Sequence, residues 1–210
     1  DYIQGIPFKK FMGKSLLEHA IHSVQDSNKV SEIIITSTSK NVLISAEQEA
    51  KKGTIDNFIF HKREDDHKTG NIMIRNFFQI AKEQYFNKHK IYPDIILYLS
   101  LHAVLRKSSH IDQAIDLLKV SESDSVVSVK QENEVLFKYG KDGLEIQNPG
   151  RFKDLSFERE RLYTFNGALI AVWTEILESD GLLGSKINFV EMTSDESLQI
   201  NTPTLSKLLD

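Results

Sequence analysis

The chain has 210 residues, of which 40% are hydrophobic and 27% charged, enough to bury one sizeable core without covalent staples. Its net charge of −4 offers no electrostatic attraction to nucleic acid, and the absence of cysteine excludes both a disulfide framework and thiolate metal sites and fits a reducing, cytoplasmic setting. No run reaches the about 18 apolar residues that a membrane span requires, and no signal peptide is visible.

In chain order, Leu16–Val24 has apolar residues at helical spacing, and Glu32–Thr36 is a β-branched run of the kind expected for a strand covered on both faces. Val42–Lys52 reads as a helix with Gly53 as its C-cap, and Phe58–Phe60 as a short strand. A long helix is expected over Thr69–Asn87, then Pro93 and the strand Ile95–Leu99. Ser109 is placed to N-cap a helix over Ile111–Leu118. Ser125–Lys130 alternates as a strand, and Val135–Lys138 and Leu144–Gln147 flank Gly140–Gly143 as a hairpin. Ala168–Val172 is a strand, Glu175–Ser179 a helix and Ile187–Glu191 a late strand; Thr202 and Pro203 open a terminal helix.

With no repeats or linkers, we read residues 1–210 as a single domain. The alternation of strands and helices predicts an α/β layered fold with a mainly parallel sheet, from which residues 130–165 make an excursion. Such sheets bind ligands beyond the carboxyl ends of their strands, which directs attention to the loops after Thr36, Leu99 and Val172 and to the N-terminal segment.

Six segments, in order, resemble the CMP-sialic acid synthetases (acylneuraminate cytidylyltransferases). Gly5-Ile6-Pro7 with Lys9 is similar to the phosphate-loop motif GIPxKN, and Gly13–Leu16 to GKPL. Ile35–Ser39 stands where the family has a strand ending in STD. Leu105-Arg106 through Ile111-Asp112 to Ile115 matches the end of LQPTSPLRxxxHIDxAI. Tyr163, Asn166 and Gly167 match YxxNGA, and Ser197–Thr202 with Pro203 matches SIDIDTP. The resemblance implies a three-layer, Rossmann-like nucleotide-diphospho-sugar transferase fold with a protruding β element used by a homodimer. It further implies an enzyme that joins CTP to a sialic-type keto acid with release of pyrophosphate, assisted by Mg2+.

By the same resemblance, Gly5, Lys9, Lys10 and Ser39 are nucleotide-binding candidates, and Lys9 and Arg106 catalytic ones. His102, Arg106, Tyr163 and Asn166 are candidates for the sugar acid. The alternatives are exposed loop lysines for Lys9 and Lys10, a structural histidine, a structural arginine paired with Asp112, and a turn residue for Asn166. The chain departs from the family where its chemistry resides. The metal-binding IDID motif reads Leu198-Gln199-Ile200-Asn201, so both carboxylates of the metal positions are neutral amides, poor ligands for a hard cation. Thr204 replaces a nearby aspartate, while Asp195 and Glu196 are substitute ligands or solvated loop acids. The QPTSP stretch is Ser100–Val104, and the STD aspartate is Ser39. Aligned on Gly5-Ile6-Pro7, the loop lysine becomes Gln4, and the family's preceding arginine and first strand fall before Asp1. Two functions therefore stand side by side: a cytidylyltransferase, and a catalytically degenerate descendant that keeps the fold and binds a nucleotide or a partner.

Two clusters imitate sites. His61–His67 gathers histidines and acids but carries both charge signs, as a solvated loop does. Arg151–Arg161 interleaves three arginines and a lysine with acids, which argues against nucleic-acid binding.

Overall fold

The computed structural model describes residues 5–53, 57–64, 74–148, 160–178, 182–201 and 207. Gln4, Thr204, the expected helix opening at Thr202-Pro203, residues 69–73 of the long helix and most of Arg151–Arg161 lie outside them.

A 3-10 turn at Ile6–Phe8 leads into a small hairpin, β1 (Lys10–Phe11) and β2 (Lys14–Ser15). Helix α1 (Leu16–Gln25) starts on a capping box: Glu18 N–H donates to Ser15 Oγ at 3.2 Å, and Ser15 N–H to the Glu18 carboxylate at 2.6 Å. Strand β3 (Ile33–Ser37), helix α2 (Lys40–Ala50) and strand β4 (Phe58–Lys62) follow, with β3 and β4 parallel. Then come α3 (Ile74–His89), β5 (Ile95–Leu99), α4 (Ser108–Val120) and β6 (Ser125–Gln131). The hairpin β7 (Phe137–Gly140) and β8 (Gly143–Ile146) precedes β9 (Tyr163–Trp173), a 3-10 turn at Thr174–Glu178, and β10 (Ile187–Glu191).

The larger sheet has the order β10-β6-β9-β5, in which β9 runs antiparallel to both neighbours and β10 parallel to β6. Apolar side chains above and below it fix three layers. On one face, Ala114 and Leu118 of α4 pack on Val126, Leu169, Ala171 and Val190. On the other, Phe78 of α3 packs on Ile96, Val127, Ile170 and Val172. The β3–β4 pair joins the same body through Ile33 and Ile35, which share a cluster with Val24, Ile111, Ile115 and the residues of β5. The fold is thus a three-layer, Rossmann-like α/β architecture. No helix among the described residues is long and apolar enough to cross a membrane.

Three local expectations are corrected. Gly53 is no left-handed cap, since α2 is closed by Lys51; a Cβ at Gly53 would land 1.8 Å from Gln25 Nε2, so the Gln25 amide would have to shift to admit one. The N-cap of α4 is Lys107, whose N–H donates to His110 Nδ1 at 3.2 Å, rather than Ser109. The expected helix over Glu175–Ser179 is the short 3-10 turn.

Candidate functional site

Ser37 and Leu99 end β3 and β5, and the antiparallel course of β9 brings its first half to the same place. Leu99 pairs with Leu169, and Ser100 N–H donates to Ala168 O at 3.1 Å, so Asn166 and Gly167 stand at this rim. The loop after Val172 belongs to the opposite end, where Thr174 N–H meets Asp94 O at 2.9 Å. The ligand end of β9 is therefore its beginning, not its end.

The N- and C-terminal segments are drawn to this rim by packing. Ile6, Leu16, Val104 and Ile200 form one buried cluster, which ties the Ile6–Phe8 turn, the loop after β5 and the Leu198–Asn201 segment together. Backbone and side chain then lock the last two: Ile200 N–H donates to His102 O at 3.0 Å, and His102 Nδ1 lies 2.7 Å from Ile200 O. A carbonyl facing Nδ1 demands a proton there, which leaves Nε2 of the neutral ring as an acceptor.

Behind the rim sits a polar latch centred on Asn166. Its Oδ1 accepts from Ser128 Oγ at 2.5 Å and Ala168 N–H at 3.1 Å, and its Nδ2 donates to Ser197 Oγ at 2.8 Å. Its carbonyl accepts from Gln199 Nε2 at 2.8 Å, while Gln199 Oε1 accepts from Ser100 Oγ at 3.3 Å. Asn166 and Gln199 are thus spent on joining β6, β9, the β5 loop and the C-terminal segment. Gly167 holds φ +72° inside β9, at the irregularity in its pairing with β6 and beside Gln199.

Arg106 is 5% exposed, and its guanidinium is bonded to Ser100 O at 2.8 Å, Ala168 O at 3.0 Å and Ser23 Oγ at 3.1 Å. Burial lowers its pKa to about 10. Asp112, the partner expected from sequence, instead accepts from Ser27 Oγ at 2.5 Å. Arg106 is therefore a positioning residue that holds the β5 loop against β9 and α1. Tyr163 lies further out along β9, its ring 4.6 Å from that of Phe189. Lys9 and Lys10 are exposed next to Gly5, which adopts φ +72° to open the turn. Ser39 is the N-cap residue of α2; its N–H, not its hydroxyl, is engaged, donating to Ser37 Oγ at 3.1 Å. Asn201 is exposed at the end of the described C-terminal segment.

Of the two acids singled out near the rim, Asp195 is exposed and Glu196 is committed elsewhere. Glu196 meets Lys107 Nζ at 2.5 Å and accepts from Thr193 N–H at 3.0 Å. The Lys107 bond, followed by the Thr193 amide, holds its carboxyl at about 2. Burial lowers the pKa of neighbouring His110, whose Nε2 lies 3.6 Å from Glu196. Among the described residues, no group of three or more His, Asp or Glu side chains is arranged to hold a metal. Gln199 has both amide atoms engaged and Asn201 is neutral, so the described residues of this rim do not fit Mg2+. Of the imitative cluster, His61 and Lys62 are simply the last residues of β4.

The buried serines Ser23, Ser100 and Ser128 had no signal in the sequence, where serine looks like surface composition. Ser15 did have one, the S-x-x-E spacing to Glu18.

No protein-family model matches the chain, and no curated protein matches it in sequence. Solved structures do match in fold. A 4-diphosphocytidyl-2C-methyl-D-erythritol synthase from Anaerococcus prevotii superposes with a TM-score of 0.65 at 12% identity, over 94% of this chain and 85% of its own. A second structure of a synthase of that name gives 0.63 at 10% identity, over 96% and 91%. CMP:2-keto-3-deoxy-manno-octonic acid synthetase, complexed with CTP, gives 0.57 at 14% identity, over 92% and 86%. The likeness spans nearly the whole chain and establishes the fold class.

Proposed function

We propose that this chain is a cytidylyltransferase-type domain that binds CTP at the carboxyl ends of β3 and β5, with a sialic-type keto acid as the second substrate. The observation that carries the proposal is convergence. The Gly5–Lys10 turn, the His102 loop, Asn166-Gly167 and the Gln199–Asn201 segment are far apart in sequence, yet they meet at one rim. Fold likeness to CMP:2-keto-3-deoxy-manno-octonic acid synthetase complexed with CTP supports the same nucleotide and a sugar acid. Exposed Lys9 and Lys10 supply charge and donors for a triphosphate. His102 Nε2 offers an acceptor for a sugar hydroxyl. Transfer would join the sugar acid to the α-phosphate of CTP and release pyrophosphate, with orientation as the main contribution of the protein.

A second reading has its own support. Both amide atoms of Gln199, and the side-chain amide and carbonyl of Asn166, are engaged in holding the fold, which favours a domain that keeps nucleotide binding and has given up turnover. Calorimetric titration of CTP into the protein, alongside pyrophosphate release with CTP and N-acetylneuraminate, separates the two. CTP binding with pyrophosphate release supports transferase activity; binding alone selects the degenerate domain. Absence of CTP binding, with and without Mg2+, refutes both.

The hairpin supports a homodimer. Phe137 pairs with Ile146 and Tyr139 with Leu144, so these four apolar side chains share one face, 41% to 82% exposed. A two-stranded hairpin is marginal alone, and a second copy of the chain would cover that face.

A further inference from the structure

The chain from Ser100 to Lys107 and the chain from Glu196 to Ile200 lie side by side in opposite directions, fastened at both ends. At one end, Ile200 N–H donates to His102 O, and His102 Nδ1 lies 2.7 Å from Ile200 O. At the other, Glu196 Oε1 meets Lys107 Nζ at 2.5 Å. The first fastening belongs to the rim; the second lies outside it and has so far no part in the site.

The second fastening is built from the local chain. After β10, Met192 N–H donates to Val129 O at 2.8 Å, and the Met192 side chain is buried with Ala103 and Ala168. The chain then makes one helical turn, closed by Ser197 N–H on Thr193 O at 3.0 Å. A single turn has no cooperative stability of its own. Thr193 and Glu196 supply it by a reciprocal capping pair. Glu196 N–H donates to Thr193 Oγ1 at 3.2 Å, while Glu196 Oε2 accepts from Thr193 N–H at 3.0 Å and from its hydroxyl at 3.1 Å. Oε2 is thereby spent within the turn, and Oε1 is left for Lys107, the N-cap residue of α4. His110 joins the same group: its Nδ1 accepts from Lys107 N–H, which leaves the ring proton on Nε2, 3.6 Å from Glu196 Oε2.

What this turn carries is the rim itself. It ends at Ser197, whose Oγ accepts from Asn166 Nδ2, and leads directly to Gln199 and to Ile200, the residue that sets the tautomer of His102. We propose that Glu196 is a positioning residue: through its bond to Lys107 it holds the Thr193–Ile200 segment along the β5 loop, and so fixes the place and the tautomer of His102, the group offered to the second substrate. The use of His102 by a sugar acid rests on the transferase reading above. The coupling of Glu196 to His102 does not.

Amide hydrogen exchange at Ile200 and the nitrogen chemical shifts of the His102 ring are read in the parent, Lys107→Met, Glu196→Gln and the double variant. Asp112→Ala, which removes the Ser27 contact elsewhere on α4, is the control. The Ile200 amide is expected to exchange about 10-fold faster in each single variant and no faster in the double, because either substitution breaks the same bond. The His102 ring should pass from the Nδ1–H form to a mixture of both neutral forms, with β6 and β9 as protected as in the parent and Asp112→Ala without effect. Parent-like exchange and ring shifts, effects that add in the double variant, or acceleration that spreads through β6 and β9 overturn the proposal. With CTP and N-acetylneuraminate, Lys107→Met should raise KM for the sugar acid about 10-fold and leave KM for CTP unchanged. An equal rise in both overturns the link to the second substrate. A parent that releases no pyrophosphate counts against the transferase reading alone, since the exchange and ring measurements need no substrate.

Discussion

Gln199 illustrates how a residue at a family ligand position can take a different role. Resemblance suggests that returning it to aspartate would restore a metal ligand, but its Nε2 donates to Asn166 O and a carboxylate has no donor to replace it. Gln199→Asp is therefore expected to lower stability by about 1–3 kcal/mol, read as a lower urea midpoint at unchanged slope. A variant as stable as the parent would show that the latch contributes little. Glu196 predicts the acid response. Its folded pKa of about 2 lies below the ordinary 4.5, so its stabilisation is complete above about pH 4.5 and lost as pH falls towards 2. Screening at exposed Lys107 leaves about 1–2 kcal/mol. His110, whose pKa burial lowers, acts in the same direction and begins to do so below the ordinary histidine value of 6.5. Unfolding of Glu196→Gln followed from pH 6 to 3 should show a shallower fall than the parent.

At the scale of elements, α1 matters most for the site because it carries the turn above it and crosses behind β3 and β5. Its capping box satisfies two N–H groups that the helix cannot, and the Ser15 backbone bond lowers the Glu18 pKa. Ser15→Ala is expected to cost about 1 kcal/mol, measurable as a drop in Tm, and Ser15→Asp much less. β9 shows the limit of reading elements singly. Ala168–Val172 is apolar at every position because both its faces are covered, and such a run looks the same in a parallel or an antiparallel strand. Its direction, and with it the end that faces the ligand rim, is settled only by its pairing between β5 and β6.

For the whole molecule, the hairpin face provides the assembly prediction. Tyr139 is 82% exposed at its centre, and Tyr139→Glu should convert a dimer to a monomer in light-scattering mass measurement without lowering Tm by more than a few degrees. A parent that is already monomeric refutes the dimer. Hydrophobic periodicity alone revealed the α/β class, the order of most elements and the existence of the hairpin, because covered strands and amphipathic helices leave their spacing in the chain. Short motifs such as Gly5-Ile6-Pro7 marked the segments of the rim. The use of those segments was decided by tertiary structure, since a hydrogen-bond donor has no assigned partner until packing brings one near. Arg106 became a clamp on two carbonyls, Asn166 and Gln199 became a latch, and buried Ser100 and Ser128 became their partners. Local sequence determined which strands and helices form; only the packed chain determined which way β9 runs, which polar groups are spent on the fold, and which remain free for a ligand.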